Sequence, residues 1–119
     1  MASGRLTTHV LDTANGIPAS GVGILLYRVS GNSHKKIAET VTNSDGRTDA
    51  PLLEGAQFTE GSYELIFQVG GYFRNKSPAA DGAQFLDEVP VRFSVADASS
   101  HYHVPLLVSP FGYSTYRGS

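Results

Sequence analysis

Two runs in which apolar residues return at every second position constrain this chain more than any other feature. Tyr63, Leu65, Phe67 and Val69 are interleaved with Glu64, Ile66 and Gln68, and Val89, Val91, Phe93 and Val95 with Pro90, Arg92 and Ser94. Successive side chains of a strand point to opposite faces, so a period of two sustained over seven residues is the pattern of a half-buried β-strand. Residues 7–11, 22–29, 36–42, 102–108 and 113–116 read as further strands. Turn-forming residues separate them, at 12–18, in the polar loop 30–34 and in Asn43-Ser44-Asp45-Gly46, where Asp and Gly tolerate the conformations a tight turn needs. Residues 71–76 have room for a turn or two of helix. With 13 glycines and 6 prolines to make bends and no repeat or linker, the expectation is an all-β sandwich. Pro90 is expected on an edge strand, and Pro105 at a bulge or bend.

The bulk numbers narrow the function classes. A chain of 119 residues is one domain, large enough to bury roughly two-thirds of its unfolded surface. Its net charge of −2, with both signs interspersed, supplies no basic face for nucleic acid. No run approaches the ~20 apolar residues needed to span a bilayer, so no membrane partner is expected. Without cysteine the chain has no disulfide framework and no thiolate nucleophile. Residues 1–6 contain no apolar run of the kind a secretory leader has, and a cytoplasmic location is expected. Residues 1–5 read as a flexible lead-in and residues 6–119 as the folded domain. The partner is expected to be a small molecule or a second copy.

Four groups of residues bear on chemistry. His9 shares one face of its strand with Thr7 and Leu11. His101 and His103, two apart, also share a face, a spacing that suits zinc if His9 or a carboxylate completes the set. Arg47 follows the Asp45-Gly46 turn. Phe111, Tyr113 and Tyr116 run on into Arg117-Gly118-Ser119, so the last strand is expected to be docked rather than frayed. Taken singly, a strand histidine and an arginine at a turn exit are most often structural or solvated.

Together these residues fall into a pattern. His9-Val10-Leu11-Asp12, Gly16, Pro18-Ala19, Val22 and Ile24 resemble the N-terminal signature of transthyretin-like proteins. Tyr102-His103-Val104-Pro105 and Ser109-Pro110-Phe111-Gly112-Tyr113-Ser114-Thr115 resemble the C-terminal one, with Val108 where leucine is more usual. The final Tyr116-Arg117-Gly118-Ser119 is similar to the tetrapeptide of the family's 5-hydroxyisourate hydrolases, which its hormone carriers lack.

This resemblance, from residue 6 to 119, implies an eight-stranded β-sandwich with one short helix, assembled as a homotetramer with active sites in a channel between dimers. It implies hydrolysis of 5-hydroxyisourate to 2-oxo-4-hydroxy-4-carboxy-5-ureidoimidazoline in urate degradation, with no metal and no cofactor. Carried over by motif, His9, Arg47, His103 and Ser119 are catalytic, and His9, Arg47 and Tyr116 bind substrate. His9 and His103 would position and deprotonate water, Arg47 would stabilise the developing oxyanion, and Tyr116 would hold the ring. Ser119 would orient a histidine or the leaving nitrogen. His101 and His34 fall outside the motif cores. Two rival expectations are a ligand carrier without turnover and a histidine-based zinc hydrolase.

Overall fold

Each run of alternating residues becomes a strand, and its apolar positions turn inward. The computed structural model describes residues 4–76 and 84–118. In chain order the strands are β1 (Arg5–Asp12), β2 (Ile17–Pro18), β3 (Gly23–Ser30), β4 (Ser33–Val41), β5 (Leu53–Glu54), β6 (Gly61–Gln68), β7 (Glu88–Val95), β8 (His101–Ser109) and β9 (Gly112–Thr115). The helix α1 (Val69–Lys76) follows β6 directly. One sheet has the order β2-β1-β8-β9, with β5 also paired to β1, and the other β4-β3-β6-β7. Side chains such as Leu6, Val10, Ile24, Leu65, Phe67 and Leu106 fill the space between them and are fully buried. This is the two-layer sandwich that the alternation and the family resemblance imply.

The pairing that matters for function is β1 with β8. It is parallel and unbroken from Arg5 opposite His101 to Asp12 opposite Val108. Among the described residues every other strand pair is antiparallel. Leu6, Thr8, Val10 and Asp12 face the core, so Thr7, His9 and Leu11 face outward, as do His101 and His103 across the ladder.

Some expectations need correction. Arg5, assigned to a flexible lead-in, already pairs in β1, and Gly4 before it is buried. The loop expected over 30–34 is a tight hairpin, with Ser30 opposite Ser33. No bulge marks Pro105, which stands in register with His9. The β8–β9 ladder instead stops at Leu106, and the Thr115 hydroxyl donates to the Pro105 carbonyl at 2.7 Å. Pro90 does lie on an edge strand, β7.

The short helix is tied back to the first strand. The buried Asp12 carboxylate accepts hydrogen bonds from the backbone N–H of Ala14 and Asn15, from Asn15 Nδ2 and from the Tyr72 hydroxyl. Burial pushes this carboxyl up, but the bonds from Asn15, Tyr72 and the turn outweigh it and hold it below its usual range. The Tyr72 hydroxyl is pushed well up by burial and by the carboxylate it serves.

Candidate active site

The outward face of β1 and β8 carries an unusual density of imidazole. Thr7 stands opposite His103 in the ladder. Its Oγ1 is 2.8 Å from His103 Nδ1 and 2.6 Å from His101 Nε2. His9, two residues further along β1, places Nε2 2.9 Å from the carbonyl oxygen of Asp45. A carbonyl only accepts, so Nε2 of His9 carries the proton and Nδ1 is left bare.

The turn after β4 is built to hold one arginine over this face. Asn43 Oδ1 accepts the N–H groups of Asp45 and Arg47, and the Asn43 N–H donates to the Arg47 carbonyl at 2.7 Å. The Val10 N–H donates to the Gly46 carbonyl at 2.8 Å, clamping the turn to β1. Gly46 has φ +75, and a Cβ there would collide with the Val10 carbonyl oxygen. Arg47 therefore projects from a turn fixed on both sides. Among the described residues its guanidinium makes no hydrogen bond or ion pair. It lines a cavity of about 490 Å³ with Arg5, Thr7, Asp49, His101 and His103.

The electrostatics favour neutral imidazoles. Burial first, and the Arg47 charge second, lower the pKa of both His9 and His103 below the ordinary 6.5. For His103 the neighbouring His101 and His9 add to this, whereas the Asp45 carbonyl and carboxylate work against it for His9. His101 is lowered by burial and by Arg5. Neutral imidazoles near pH 7 can accept a proton, and the guanidinium beside them can meet an anion. Among the described residues no three His, Asp or Glu side chains converge as a metal-binding set.

The tail reaches the same site from the other side. The Gly118 N–H donates to the His103 carbonyl at 2.7 Å, and the Arg117 guanidinium lies 4.0 Å from the centroid of the Tyr102 ring. Tyr116 does not line the Arg47 cavity. It lies in a separate groove with Phe93, Tyr102 and Val104, which shares no lining residue with that cavity. Ser119 lies outside the described residues. His34 is remote, on the other sheet, bonded to Arg92 at 2.9 Å.

A family model described as Transthyretin, HIUase/Transthyretin family, matches residues 6–118. The chain belongs to the HIUase/Transthyretin family. Among members of the HIUase/Transthyretin family it is 61% identical to 5-hydroxyisourate hydrolase 2 of Rhizobium meliloti, over 98% of both chains. A solved structure of 5-hydroxyisourate hydrolase from Klebsiella pneumoniae superposes with a TM-score of 0.80 at 34% identity, over 98% of this chain and 99% of that one. A crystal structure of (S)-allantoin synthase superposes more closely, with a TM-score of 0.92 at 50% identity. There the match covers 99% of this chain but 44% of that longer one.

Two residues that help build this candidate site are not evident from the sequence alone. Thr7 was legible only as a face-mate of His9, because nothing local reveals which residue stands opposite it in a strand 96 positions away. Asn43 was legible as a turn residue. Its double acceptance of N–H groups is the usual way an Asx side chain closes its own turn.

Proposed function

We propose that this chain is a 5-hydroxyisourate hydrolase of urate degradation, acting without a metal and without a cofactor, as a cytoplasmic homotetramer. The reading is carried by one observation: His9 and His103 on one face beside Arg47, whose guanidinium has no hydrogen bond or ion pair among the described residues. Identity of 61% to a hydrolase over nearly the full length supports it independently. A chain without cysteine needs no oxidising compartment to hold its core, which suits the location.

The chemistry follows from the residues. Water attacks a carbonyl carbon of the cyclic amide, forming a C–O bond while an imidazole, His103 or His9, takes the departing proton. The planar Arg47 guanidinium faces the oxygen on which negative charge collects and stabilises it by paired, charge-assisted hydrogen bonds. Collapse of the tetrahedral species breaks the C–N bond, and the imidazolium returns its proton to the leaving nitrogen. Tyr116 and Ser119 enter this scheme through the family resemblance, Tyr116 holding the ring and Ser119 orienting a histidine or the leaving nitrogen. The Gly118 contact with His103 supports a tail that closes on the site.

The test is an ultraviolet assay on freshly prepared 5-hydroxyisourate, with the oligomer measured in parallel by sedimentation. The parent should accelerate decay well beyond the spontaneous rate, and His9→Ala and His103→Ala should each lose at least about tenfold, a modest share of what a general acid–base group contributes. Decay at the spontaneous rate, with saturable binding of the substrate, would leave a carrier in place of an enzyme.

A further inference from the structure

Two outward-facing groups take no part in the scheme above, although they touch its central histidine. The Thr7 hydroxyl bridges two rings, with Nδ1 of His103 on one side and Nε2 of His101 on the other. The ring centroids are 6.1 Å apart and the planes are inclined by 58°, so the rings do not stack and the hydroxyl is their link.

Counting protons limits what this bridge can be. A hydroxyl has one proton to give and lone pairs to receive, and a neutral imidazole has one N–H and one bare nitrogen. Thr7 can donate to one ring only, so at least one ring donates to Thr7. In one arrangement His101 donates to Thr7 and Thr7 donates to His103, which then carries its proton on Nε2. In the other the direction reverses: His103 donates from Nδ1, and Thr7 donates to His101 Nε2. Both rings donating at once would leave the Thr7 proton without an acceptor among the three groups.

The two directions differ in chemistry. With its proton on Nε2, His103 has its bare nitrogen tied to Thr7 and cannot accept from water. With its proton on Nδ1, the Nε2 lone pair is free. On taking a proton there, the ring keeps its Nδ1–H bond to Thr7, which strengthens as the ring becomes charged. Thr7 can support that donation because its own proton already goes to His101, and such chains polarise cooperatively. Resting on the hydrolase reading, we propose that Thr7 and His101 form a relay that fixes His103 as its Nδ1–H tautomer, making Nε2 the proton acceptor for the attacking water. Both are positioning residues, acting through the His103 ring.

Either direction needs neutral rings, and the surroundings favour them. His101 must be neutral to accept from Thr7. Arg5 and Arg47, the cationic groups lining the cavity, disfavour a charge on these rings, with Asp49 the lining carboxylate and His9 the remaining imidazole on this face. The direction in which Thr7 donates therefore sets which His103 nitrogen holds the proton.

The experiment reads the tautomer directly. Imidazole ¹⁵N shifts of the unliganded protein near pH 7 should show the His103 proton on Nδ1. Thr7→Val keeps the shape and removes the hydroxyl, and it should move the proton toward Nε2. His101→Phe should move it the same way, because Thr7 then has only His103 to donate to. Thr7→Ser should restore the parent spectrum. In turnover, Thr7→Val should lower kcat about tenfold with KM within about twofold, a small part of what a general base contributes, and serine should recover it. A parent spectrum with the proton on Nε2, or one unmoved in both Thr7→Val and His101→Phe, would overturn the relay whatever the activity. The expected tautomer shifts in a protein that leaves 5-hydroxyisourate at its spontaneous rate would instead uphold the relay geometry and remove the hydrolase reading.

Discussion

Gly118 and His103 are in contact through both backbone and ring. The Gly118 N–H donates to the His103 carbonyl at 2.7 Å, and a Cβ added at Gly118 would lie 2.8 Å from His103 Cδ2. The imidazole occupies the space that any other residue at 118 would need. Gly118→Ala should therefore displace the ring while the sandwich persists. An error of an ångström in a reacting group costs up to roughly a hundredfold, so a fall of about tenfold to a hundredfold in kcat is expected. Parent-level kcat in a variant of unchanged Tm would show that the tail does not set the ring.

Gly46→Ala should act on stability as well as on rate. The backbone at 46 is left-handed, and the added methyl would meet the Val10 carbonyl oxygen, a backbone atom that cannot rotate away. Strain of this kind costs about 1–3 kcal/mol. Because the same turn carries Arg47, kcat should fall with it. Denaturant titration decides the point, and a loss below about 0.5 kcal/mol would mean that the turn relaxes freely.

Charge and shape at position 47 can be separated. Arg47 lowers the pKa of both His9 and His103, although burial is the larger cause for each. In Arg47→Ala both rings should titrate nearer 6.5, whereas Arg47→Lys should hold them close to the parent values. Rates should not follow that order. Lysine lacks the planar fork, so both variants should be impaired alike. Proton NMR titration reads the first effect and steady-state rates the second. A lysine variant with full activity would reduce Arg47 to a point charge.

Asp12 predicts an acid-sensitive clasp between β1 and α1. Its folded pKa lies below the ordinary 3.8, so its stabilisation is complete above that value and is lost as pH falls through the folded one. Asp12→Asn should cost about 2 kcal/mol near neutrality, a typical loss for hydrogen bonds to a charged group. The gap between parent and variant should stay constant from pH 8 to about pH 5 and narrow below about pH 4. A gap that persists unchanged to pH 2 would mean that the charge plays no part.

Much of the fold is legible in the sequence because its signals are local. The alternation at Tyr63–Leu65–Phe67 becomes β6 with those side chains buried, and residues 71–76 fall inside α1, which begins two residues earlier at Val69. Val69 continues the alternating pattern and stays buried, so the pattern could not mark where the strand ends. The shared faces of Thr7 with His9 and of His101 with His103 also follow from spacing alone. What spacing cannot supply is register. That Thr7 meets His103, rather than some neighbour, is decided by core packing of Leu6, Val10, Tyr102 and Leu106 on the far side of the same ladder. Tyr116 illustrates the same limit: the motif names it, but its place beside Phe93, Tyr102 and Val104 rests on long-range packing that no local signal shows.

The parallel pairing of β1 with β8 also makes this site a late event in the life of the chain. Thr7 and His103 are separated by 96 residues, and no shorter-range contact can stand in for theirs. Closing so long a loop is slow relative to forming the β3–β4 hairpin, whose strands turn back through two residues. Hairpin signals should therefore recover early in refolding, while turnover returns only when the two distant strands zip together. No partly assembled sandwich has its histidines, its hydroxyl bridge and its arginine in place, so under the proposed mechanism turnover is a stringent reporter of the finished fold.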